Sequence, residues 1–217
     1  MKFPNAYRGI KKLFIAEVVG VCATLLLLIS ACLAIAGVHS EGALIAAGSL
    51  TLVATLGLLA LFIVEILALR EAGKDNEKLK LAFFYTIAGI VFSFVGSILS
   101  SIPAVRDSLF AGLIQSAIDV TAIFTLYYIF IGIAELANKL GNPLMERHGR
   151  SLANVSIILF VASIALSFPA NFINGSAVPE WTQGLFATLA LVASLAELVA
   201  YVLTLIYYYR AVKMLSK

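Results

Sequence analysis

Fourteen of the fifteen lysine and arginine residues sit beside alternate ends of six long apolar runs, and this alternation constrains the fold more than any other feature. The runs cover 13–37, 43–69, 81–102, 109–137, 152–172 and 184–209. An α-helix needs about 20 mostly apolar residues to cross a hydrocarbon core about 30 Å thick. Barrel strands would alternate in polarity over about ten residues, so each run is expected to be a helix with its backbone bonds satisfied internally. The chain is 62% hydrophobic and 12% charged, whereas a soluble domain is roughly a quarter charged. The expected fold is all-α: a polytopic integral membrane protein with a six-helix bundle, spanning 1–217 as one domain.

The basic residues orient that bundle. Lys2, Arg8, Lys11 and Lys12 precede the first run, and Arg70, Lys74, Lys78 and Lys80 separate the second from the third. Lys139, Arg147 and Arg150 separate the fourth from the fifth, and Arg210, Lys213 and Lys217 follow the sixth. The other connections hold only Arg106. By the positive-inside rule both termini are expected in the cytoplasm, with the plasma membrane as the expected location. The net charge of +3 reflects this topology. It leaves no surplus basic patch for nucleic acid.

Lys11 and Lys12 before an apolar run suggest a signal peptide, but the run is longer than the roughly 7–15 residues of a cleavable core, so it is expected to stay. Cys22 and Cys32 lie ten residues apart in that run, about 15 Å along one helix. They cannot bridge each other and are expected to be small buried packing groups. The second, fourth and sixth runs end similarly, in "FIVEILALREAGK", "FIGIAELANKLG" and "LIYYYRAVKML". Two readings of this stand: three repeated helical hairpins, or the resemblance of any Ala/Leu/Ile helices with basic ends. Tyr207, Tyr208 and Tyr209 beside Arg210 are expected to form an inner aromatic belt.

Five acids interrupt the runs. Glu17 follows Lys12 by five residues, Glu65 precedes Arg70 by five, and Glu135 precedes Lys139 by four. Near a basic flank, each can snorkel or pair at modest cost. The functional alternative is an inner gate, which requires their helices to turn these acids towards one axis. Glu197 is deeper, thirteen residues before Arg210, or about 20 Å along a helix. An ionised acid facing lipid there is expensive, so it is expected to face protein or a wet cavity, or to be held protonated by desolvation. It shares a helical stripe with Ser194, Tyr201, Thr204 and Tyr208. Asp119, with Gln115 and Ser116 one turn before it, forms a second polar patch. The third run carries Tyr85, Gly89, Ser93, Gly96 and Ser100 on one stripe, expected to be a helix contact.

No phosphate-binding loop, G-x-S-x-G, H-E-x-x-H or C-x-x-C occurs. The two histidines, His39 and His148, fall in connections on opposite sides. Catalytic residues, a metal site and a cofactor are therefore not expected, and an enzyme would have to use carboxylates and tyrosines. In topology alone, a six-span chain of this size resembles small transporter modules, including the substrate-binding subunits of energy-coupling-factor importers; no motif carries over. The expected function is transport of a proton, cation or small polar solute, with Glu197 and Asp119 as the carboxylate site. The rival is an accessory or scaffold protein whose acids serve packing and contact a membrane-protein partner or a second copy. Beyond these, the expected partner is the lipid bilayer.

Overall fold

The computed structural model describes residues 2–36, 41–102, 109–173 and 180–217. They form six helices: α1 Pro4–Ala36, α2 Glu41–Ala72, α3 Glu77–Ser100, α4 Leu109–Lys139, α5 Pro143–Ile173 and α6 Glu180–Leu215. Among the described residues no strand occurs. Five helices carry a stretch long and apolar enough to cross a membrane, in α1, α2, α3, α4 and the C-terminal half of α6. The protein is thus a helical, multi-pass membrane protein. The fifth expected run falls in α5, and its side chains from 163 onward lie outside the described set. Several helices extend past the expected spans into polar sequence, because hydropathy marks the part matched to lipid while backbone hydrogen bonding continues into water.

Each helix packs against its neighbours in sequence, and α1 also meets α6, so the six form a closed ring. Local signals set the corners. Asn76 caps α3, its side chain accepting from the Lys78 and Leu79 N–H groups at 2.8 and 3.2 Å. The preceding Asp75 reaches back to α1, where Pro4 occupies the first turn. Its carboxylate accepts from Asn5 Nδ2 and the Ala6 N–H, both at 2.8 Å, satisfying an N–H that lacks an intrahelical partner. Between α4 and α5, Gly141 takes φ 70°, while the Asn142 N–H reaches Ala137 O at 2.9 Å. This glycine ends one helix, and Asn142 with Pro143 starts the next.

The core is concentrated at the end of the ring that carries the basic residues. Ile10, Leu13, Leu69, Leu79, Phe130, Ile133, Leu136, Tyr208 and Leu215 are buried there in one cluster, with Ala6, Ala72 and Ala137. Small residues permit this closeness. A Cβ on Gly132 would lie 2.7 Å from Leu79 Cγ, and one on Gly9 would overlap the backbone of α2 at Ala68 and Ala72. Farther from this end α3 is the least buried of the spanning helices. Among the described residues the bundle is therefore plugged at one end and looser above it.

Two sequence expectations change. Cys22 and Cys32 are free and exposed on the described surface, because the contacts of α1 run through Ala16, Ala23 and Ser30 instead. Tyr207 and Tyr208 are buried at 3% and 2% exposure, leaving only Tyr209 outside at 56%. Consecutive helical residues point about 100° apart, so a triple tyrosine cannot all face one interface.

Candidate functional site

A cavity of about 520 Å³ lies above the plug, lined from α1, α2, α3, α4 and α6. Along α3 its wall runs from Tyr85 to Ser97, a rise of about 18 Å. The cavity is open, since the wall residues Ser93 and Phe94 remain exposed. Glu17 of α1 and Glu65 of α2 both line it, with Tyr208 of α6. The same two acids also line a smaller recess of about 250 Å³ between α1 and α2. Among the described residues no lysine or arginine lines either space.

The register of α1 brings Glu17 inward. Leu13 and Ala16 are buried beside it, and one turn earlier Lys12 points outward to form an ion pair with Glu71. Tyr201 holds the carboxyl, its hydroxyl donating to Glu17 Oε2 at 2.9 Å and to Glu17 O at 3.2 Å. This bond ties α6 to α1 across the ring closure. Glu65 lies half-buried three residues before Ala68, which packs against Gly9. The close approach of α1 and α2 at Gly9 thus sets the separation of the acids above it.

On the opposite wall, α3 and α4 supply hydroxyls. Thr86 and Thr125 approach at 3.4 Å between their Oγ1 atoms, and Thr121 donates to Ile118 O at 2.7 Å. A Cβ on Gly89 would meet Thr121 Oγ1 at 2.8 Å, so the glycine lets the helices cross closely. Tyr85 stacks on Phe124 and Tyr128 with centroids 5.1 and 5.4 Å away. The expected contact stripe on α3 therefore serves two purposes: Gly89 and Gly96 approach α4, and Ser93 faces the cavity.

The other sequence candidates lie apart. Glu135 accepts from Asn76 Nδ2 at 2.9 Å at the basic end and lines a separate pocket there. Two of the three proposed gate acids thus share a cavity and the third does not. Asp119 accepts from Gln115 Nε2 at 3.0 Å and does not line the large cavity. Ser116 is exposed beside them. Thr204 is buried and donates back to Ala200 O at 2.9 Å. The side chains of Ser194 and Glu197 lie outside the described residues. The described hydroxyls of Tyr201 and Thr204 bond to Glu17 and Ala200.

Phe62, Thr86, Thr125 and Phe94 line the cavity and were not singled out from sequence. Thr121 and Thr125, one turn apart in an apolar helix, carried the available signal. Among the described residues no group of three His, Cys, Asp or Glu is arranged to hold a metal ion.

Tyr201→Phe removes only the oxygen that bonds Glu17. It is expected to lower stability by about 1 kcal/mol or more, measured as the unfolding midpoint in lipid micelles. An unchanged midpoint would mean that water replaces the tyrosine at Glu17.

No protein-family model, no curated protein and no solved structure matches this chain.

Proposed function

We propose that the protein is a small membrane transporter or transport subunit that moves a proton, cation or small polar solute through a Glu17–Glu65 carboxylate site. One observation carries the reading: acids from two adjacent apolar helices line a single cavity, and among the described residues no lysine or arginine lines it. Two ionised carboxylates in one low-dielectric space repel each other, and a cation or proton between them relieves that repulsion. Neutralising the site also lowers the cost of carrying it past apolar helices. The six apolar runs and their charge bias support six spans with both termini cytoplasmic, in the plasma membrane. In that orientation the plug closes the cytoplasmic side and the cavity faces outward. Release inward then requires the plug around Tyr208 to loosen. Asp119 and Glu197 become secondary candidates for a deeper ion path. The hairpins, read as repeats, would rock against one another.

The test is charge translocation by the full chain in proteoliposomes on a solid-supported membrane, under pulses of pH, alkali cations and organic ammonium ions. Wild type is expected to give a transient current with at least one of these. Glu17→Gln with Glu65→Gln preserves shape and is expected to reduce that current at least tenfold. A folded wild type giving no current with any pulse would overturn transport and favour the accessory reading.

A further inference from the structure

We propose that the cavity takes an amphiphilic organic monocation, a protonated amine or quaternary ammonium carrying an apolar body, in preference to an inorganic ion. This rests on the carboxylate-site reading above and adds the substrate class. The acids supply the first part of the reasoning. Elsewhere several acids have partners from the chain: Glu71 has Lys12, Glu146 has Arg150, and Glu135 has Asn76. Glu17 has the Tyr201 hydroxyl, yet among the described residues no cation lines the space that it shares with Glu65. A positive ligand supplies the missing charge.

Tyr208 adds a second, independent observation. It is 2% exposed and lines the cavity, yet its hydroxyl enters no hydrogen bond among the described residues, while Phe130 supports its ring at 6.3 Å. A buried polar group usually has a partner. Here the open direction is the cavity, so a ligand head group or its water completes the site.

The remaining wall specifies the body of the ligand. Phe62, Tyr85 and Phe94 line the space, and aromatic faces attract ammonium groups more strongly when these are desolvated. A small hydrated ion would leave those rings unused. The volume of about 520 Å³ lies within the roughly 300–1,000 Å³ of pockets for drug-sized ligands. Phe94 is 68% exposed, so an amphiphile dissolved in the bilayer reaches the cavity from the α3 side. An anion meets two carboxylates and is excluded.

Binding of radiolabelled tetraphenylphosphonium to the full chain in zwitterionic nanodiscs, with empty nanodiscs as blank, tests this. Saturable binding is expected, displaced by benzyltriethylammonium and at least tenfold less well by tetramethylammonium, which lacks the apolar body. Benzoate is expected not to compete. Glu65→Gln should weaken binding by about 30-fold or more, and Phe62→Ala by about fivefold. The wild-type competition series does not depend on any variant folding. Absence of saturable binding, alongside carboxylate-dependent currents from proton or alkali pulses, would overturn the substrate class and leave the transport reading standing. Absence of both would remove both. Binding unchanged in folded Glu17→Gln and Glu65→Gln variants would overturn the placement.

Discussion

Gly9→Val is expected to open the basic end of the bundle and destabilise it by at least about 3 kcal/mol, the upper part of the usual range for overpacking. A Cβ at this position would overlap Ala68 O and stand 2.6 Å from Ala72 Cβ and 2.8 Å from Ala72 N. Two of these atoms are backbone, so no side-chain rotation relieves the clash and α1 must move away from α2. Ala6 and Ile10, buried at 0% exposure on the same helix, would lose their contacts together. The Asp75 cap on the Ala6 N–H, a 2.8 Å bond, would lengthen with them. The check is the unfolding midpoint in lipid micelles, with Gly20→Val as control. A Cβ at Gly20 has only a Leu61 methyl near it, at 3.9 Å. Equal midpoints for the two variants would mean that the plug does not depend on the α1–α2 crossing.

Ser93→Trp is expected to abolish substrate-driven current, by at least about 100-fold, with little change in stability. Ser93 lies on the exposed cavity face of α3, away from the buried cluster. An indole there projects into the same space as Phe94 and Thr125 and fills the room a ligand would occupy. It touches neither acid by replacement, so lost current with an unchanged melting midpoint separates blockage from unfolding. Full current in the tryptophan variant would show that the translocated species bypasses the cavity. The rotation of α3 makes the test specific: Val91, on the same helix, is 54% exposed and does not line the cavity. Val91→Trp is therefore expected to be silent.

Much of the helical framework was legible from the chain, because membrane insertion depends on sums over local sequence. The expected second run, 43–69, lies inside α2 at Glu41–Ala72, and the fourth, 109–137, inside α4 at Leu109–Lys139. The Asp-Asn pair before α3 and the Gly-Asn-Pro run before α5 act within a turn or two of themselves. Asp75 already departs from this locality, since its partners are 70 and 69 residues away in α1. No short-range pattern announces such a cap.

The site was legible only in its parts. Glu17, Glu65 and Tyr201 were all visible as polar groups in apolar helices, but spacing to Lys12 and Arg70 suggested flank pairing for the two acids. Lys12 instead bonds Glu71 on the next helix, because residues five apart on a helix point in directions about 140° different. Sequence by itself determined that the chain is built of apolar helices, where its charges collect and which side chains share a stripe. Each follows from residues close along the chain. Only the tertiary structure decided that Glu17 meets Tyr201, 184 residues away, and lines one cavity with Glu65 while Asp119 does not. The rotation of each helix is set by close packing at positions such as Gly9, Gly89 and Gly132, and that packing belongs to pairs of helices and not to either sequence alone.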